Sequence, residues 1–66
     1  MTDADFIDQL ADQVGGIKEL AGELGVSRQS LWHWRTGKMS LLGRFLISKY
    51  SRRKRIALPD DFMERA

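Results

Sequence analysis

Side chains able to read or grip a polyanion crowd into residues 28–38: Arg28, Gln29, Trp32, His33, Arg35, Thr36 and Lys38. Arginine offers a forked pair of donors that matches guanine O6 and N7, and glutamine matches adenine N6 and N7. Tryptophan offers an apolar face to a thymine methyl or a sugar, and lysine a point charge to a phosphate. Other chemistries find little support. The chain has one histidine and no cysteine, so His33 lacks the company a zinc site needs. No nucleophile–base pair, metal-ligand constellation or phosphate loop stands out, and 66 residues leave little room for a substrate pocket of the usual size. No enzyme and no cofactor is expected.

Charge distribution points the same way. Residues 1–26 carry Asp3, Asp5, Asp8, Asp12, Glu19 and Glu23 against Lys18 alone. Residues 27–55 carry Arg28, Arg35, Lys38, Arg44, Lys49, Arg52, Arg53, Lys54 and Arg55, with no carboxylate. So long an acid-free basic stretch is the footprint of a polyanion-binding surface. The plainer alternatives are a solvated basic face, or a segment paired with the acidic first helix. The absence of cysteine fits a reducing compartment. No apolar run reaches the roughly 20 residues of a membrane span, and the acidic start lacks the basic region of a secretory signal. These features lead to the expectation of a cytoplasmic chain without membrane association.

Positioning these side chains is a matter of helices, because the helical period dominates the sequence. The length allows one domain, residues 1–66, as an all-α bundle of four to five short helices. Phe6, Ile7, Leu10, Ala11 and Val14 form the stripe of a first helix, capped by Thr2 or Asp3 and ended by Gly15-Gly16. Ile17, Leu20, Ala21 and Leu24 form the apolar face of a second helix, stopped by Gly25. Ser27 suits the N-cap of a third helix, from Arg28 to about Thr36, with Leu31 and Trp34 facing inward. A fourth is expected from about Leu41 to Ser51 or a little beyond, with Ser40 as its cap. Its inner side would be Leu42, Phe45, Leu46 and Tyr50, bordered by Leu41 and Ile47. Pro59 suits the start of a last turn carrying Asp60 and Asp61, while residues 54–58 could instead form a short strand.

Two short helices joined by a tight glycine-containing turn make a helix-turn-helix unit, here residues 17–36. On a wheel of about 100° per residue, Gln29, His33 and Thr36 fall opposite Leu31, with Trp32 and Arg28 at the flanks. Recognition helices present their N-terminal residues to base edges in the major groove. Arg28 and Gln29 are therefore the first expected base contacts, with His33 and Trp32 next. Arg28 could equally clamp a phosphate, and Trp32 could equally pack on the fourth helix or on a partner. Backbone contacts are expected from Ser27, Arg35, Thr36, Lys38 and Ser40. The amides near Ile17 and Lys18, at the start of the second helix, are another source. Arg52 and Arg53 could grip flanking phosphates, or serve only as a solvated helix end.

The run Leu20-Ala21-Gly22-Glu23-Leu24-Gly25-Val26-Ser27, followed by Leu31, Trp34, Gly37 and Lys38, resembles the helix-turn-helix of Cro-type and related phage repressors. That pattern reads Leu-Ala-x-x-Leu-Gly-Val-Ser-x-x-x-Val/Ile-x-x-Trp-x-x-Gly-Lys. The likeness is close over about one third of the chain, residues 17–38, and the flanking helices agree only in general layout. It implies a transcriptional regulator of phage or prophage origin that binds double-stranded DNA as a homodimer on a palindromic operator. An autorepressor of the antitoxin kind shares the motif, and a helical protein-interaction module without DNA is the reading from another class. The sequence does not identify the dimer surface; Met39, Leu41, Ile47, Ile56, Leu58 and Phe62, the apolar residues least needed for a monomer core, are the candidates.

Overall fold

A computed structural model describes residues 2–65. Among them are four α-helices, α1 (Asp3–Val14), α2 (Ile17–Leu24), α3 (Arg28–Arg35) and α4 (Leu41–Arg53), then a single 3-10 turn over Phe62–Arg65, and no strand. The all-α expectation therefore holds. Local chemistry fixes one end of each of the first three helices. Thr2 caps α1 reciprocally: its hydroxyl accepts from the Asp5 amide, and the Asp5 carboxylate accepts from the Thr2 amide. Gly25 closes α2 at φ 75, a left-handed conformation that costs glycine little, and the Val26 amide then reaches back to the Ala21 carbonyl. Ser27 caps α3, its hydroxyl accepting from the Ser30 amide at 3.0 Å.

α1 supplies Phe6, Ile7, Leu10 and Ala11 to one core, which Leu20 and Ala21 of α2 and Leu31 and Trp34 of α3 complete from the other side. Met39, Ile47, Tyr50 and Phe62 close it from the C-terminal half. Phe62 meets Phe6 edge to face at 5.6 Å, so the final turn is stapled to the first helix. Of the candidate dimer-surface residues, Met39, Ile47 and Phe62 are thus core residues. Ile56 and Leu58 are half-buried against the core, and Leu41 alone is exposed.

α4 is turned relative to its apolar pattern. Leu42 and Phe45, expected inside, are 69% and 59% exposed, and the buried side is Gly43, Arg44, Ile47, Tyr50 and Ser51. Two contacts explain the rotation. The Arg44 guanidinium lies fully inside, donating to both Asp3 carboxylate oxygens at 3.3 and 2.9 Å and to the Phe62 carbonyl at 3.1 Å. Gly43 lies so close to Trp34 that a Cβ there would sit 2.9 Å from the indole ring. A buried ion pair and a bare backbone contact outweigh the burial of two large apolar side chains.

The strand alternative at residues 54–58 does not form. Arg55 is left-handed (φ 59), its amide bonds to the Arg52 carbonyl, and the Ile56 amide bonds to the Ser51 carbonyl. This paired closure uses up the backbone donors a strand would need, in the place a glycine usually takes. Residues 56–59 follow without regular structure.

Candidate nucleic-acid interface

α3 divides cleanly into two faces. Leu31 is fully buried and Trp34 nearly so, whereas Arg28, Gln29, Trp32, His33 and Thr36 are exposed. Positions 28, 29, 32, 33 and 36 follow the three–four spacing of one helix surface. The face expected from the wheel is therefore the solvent face, and Trp34 is core. Ser27, Gln29, Ser30 and His33 line a shallow concavity whose floor includes Trp34. Trp32 stays 52% exposed, and Arg35 lies over its ring at 5.0 Å.

The residues expected to contact the backbone differ in their surroundings. Lys38 lies exposed just after Gly37, with nothing between it and solvent. Ser27, Thr36 and Ser40 have structural duties: Ser27 and Ser40 cap α3 and α4, and the Thr36 hydroxyl donates to the His33 carbonyl at 2.6 Å. All three remain exposed. Arg35 departs most from expectation. Its Nε and Nη2 each donate to an Asp8 oxygen at 2.8 Å, so its charge is matched inside the fold. This hydrogen bonding holds the Asp8 carboxyl below its usual range and raises the Arg35 guanidinium further.

At the start of α2, Gly16 provides no side-chain cap for the amides of Ile17 and Lys18. The Glu19 carboxylate folds back to within 3.1 Å of where a Gly16 Cβ would stand. That carboxylate would compete with any anion for the same positive end of the helix dipole. Lys18 is exposed and Ile17 half-buried. Arg52 and Arg53 are both exposed on the last turn of α4. Arg52 shares a shallow concavity with Phe45, Ser48 and Lys49, and Arg53 lies 5.7 Å over the Tyr50 ring.

The alternative of basic residues paired with the acidic first helix is realised in part. Arg35 and Arg44 bind Asp8 and Asp3 of α1, and Lys54 lies 3.7 Å from Glu23 of α2. The other six cations of residues 27–55, namely Arg28, Lys38, Lys49, Arg52, Arg53 and Arg55, are all exposed. Glu23 also accepts from the Tyr50 hydroxyl at 3.1 Å. Burial, and then this bond, raise the Tyr50 phenol above its ordinary value.

Sequence reasoning missed two features. The specific partner of Asp8 is not named by the charge pattern, which offers only a general pairing of the basic stretch with the acidic first helix; the pair is with Arg35. Leu42 and Phe45, which the apolar pattern assigns to the core, form an exposed stripe with Leu41; the clue is Gly43-Arg44 within it. No helix among the described residues is long and apolar enough to cross a membrane. Compared with family models, curated proteins and solved structures, the chain matches none.

Proposed function

We propose that this chain is a sequence-specific double-stranded-DNA-binding transcriptional regulator of the Cro-like phage repressor kind. It acts by binding and needs neither catalysis nor a cofactor. The observation that carries the reading is the solvent face of α3: Arg28, Gln29, Trp32 and His33 stand exposed on a helix whose other side is locked into the core by Leu31 and Trp34. A helix so anchored can enter a major groove without losing its shape, and these side chains match base-edge chemistry. Lys38 and the other exposed cations supply the phosphate attraction.

Two copies are expected on one operator. Half-sites in this class of recognition lie about 34–36 Å apart, one helical turn. The chain measures 26 × 24 × 19 Å and holds a single such helix. Pairing a second copy through Leu41, Leu42 and Phe45 would cover the apolar side chains that α4 leaves in water. That same stripe is what favours the second reading, a protein-interaction module.

The test is a titration with duplex DNA across a salt series. The proposal expects the logarithm of affinity to fall steeply with the logarithm of salt, by about 0.9 for each phosphate contacted. A flat response, or no binding at low salt, contradicts it.

A further inference from the structure

We propose that Asp8, on the helix behind the recognition helix, is a positioning residue for base selection: through Arg35 it fixes the indole of Trp32 on the groove-facing side of α3. The inference rests on the reading of α3 as the DNA-contacting helix. Three contacts carry it. Asp8 takes the Nε–Nη2 edge of Arg35 in two bonds of 2.8 Å, which sets the plane of the guanidinium as well as its place. The guanidinium carbon then lies 5.0 Å from the centre of the Trp32 ring. Trp32 is half-exposed, so a cation seated over its ring face restricts the rotamers that solvent would otherwise leave open.

The arrangement separates two tasks that one residue would otherwise perform together. Arg35 loses its use as a free phosphate grip, because its charge is matched by Asp8. Trp32 gains a fixed ring, so an apolar contact with one thymine methyl is selected over a range of ring positions. Removing the carboxylate should therefore change affinity and specificity in opposite directions. A tie that merely held α1 to α3 would weaken folding and leave the order of preferred bases intact.

The experiment compares Asp8→Asn, Asp8→Glu and Arg35→Lys with the wild-type chain. Trp32→Phe identifies which part of the tryptophan emission belongs to Trp32 rather than the buried Trp34. Without DNA, acrylamide quenching of Trp32 is expected to rise in Asp8→Asn and Arg35→Lys, by up to about twofold because the ring is already half-exposed. Asp8→Glu, which keeps the carboxylate, should recover at least part of the protection. With DNA, discrimination between the preferred duplex and its single-pair variants should fall by a similar factor in Asp8→Asn. Its affinity for random duplex should hold or rise, with a salt slope steeper by up to about 0.9 as Arg35 is released to phosphate.

Unchanged quenching in both Asp8→Asn and Arg35→Lys overturns the positioning of Trp32. Changed quenching with unchanged base preference overturns the link to specificity. A wild-type chain that prefers no duplex sinks the DNA reading instead, and that failure is distinct because the quenching measurement uses no DNA.

Discussion

At the scale of single residues, the proposed DNA reading gives Gln29 and Lys38 two kinds of contact that should fail differently. Gln29 stands exposed on the first turn of α3, where one bidentate base contact supplies about 1–3 kcal/mol of discrimination. Gln29→Ala is expected to relax preference at one base pair by about tenfold and leave the others ranked as before, read by competition among single-pair duplex variants. Lys38→Ala should weaken binding to every duplex alike and lower the salt slope by about one contact. Asp8 gives an acid-dependent prediction. Its bond to Arg35 lowers its carboxyl pKa in the folded chain from the ordinary 3.8. The pair therefore contributes stability above that ordinary value and loses it as pH falls through the lowered one. Thermal melts of wild type and Asp8→Asn should differ by under about 1 kcal/mol at neutral pH, the pair being half-exposed, and should begin to converge only as pH falls below the ordinary 3.8. The exposed face of α3 was legible in the sequence because Leu31 and Trp34 fix the wheel. The partner of Arg35 was not, because Asp8 lies on another helix 27 positions away.

At the scale of elements, helices α1 to α3 were legible nearly to the residue, since their ends are local chemistry: Thr2, Gly25 and Ser27 act on neighbours three or four positions away. The length of α4 was legible for the same reason, through Ser40. Its orientation was not, because it is decided by long-range partners. Apolar periodicity assigned Leu42 and Phe45 to the core, but it is blind to an arginine that brings its own buried carboxylate and to a glycine that admits a ring. Both contacts are testable. Asp3→Ala leaves the Arg44 charge buried and should cost about 3–5 kcal/mol in chemical denaturation. Gly43→Ala places a methyl 2.9 Å from Trp34 and should cost about 1–3 kcal/mol by overpacking, with a shift in the tryptophan emission. A neutral Gly43→Ala would mean that α4 sits further from α3 than described.

At the scale of the whole molecule, opposite charges on the two halves of the chain perform two tasks. Acids of residues 1–26 neutralise Arg35, Arg44 and Lys54 within the fold, while six further cations remain at the surface. The apolar stripe on α4 is the remaining feature that a lone monomer does not explain. Replacing Leu42 and Phe45 together by glutamate should leave the fold intact, since both side chains are largely in water, and should abolish any dimer seen by sedimentation. The central claim is that this chain reads DNA sequence as a pair. It is tested most directly by selection from a random duplex library, with the selected complex then sized. The account predicts an enriched palindrome whose half-sites lie about one helical turn apart, bound by two chains. Absence of any enriched sequence from a folded, helical protein would contradict it.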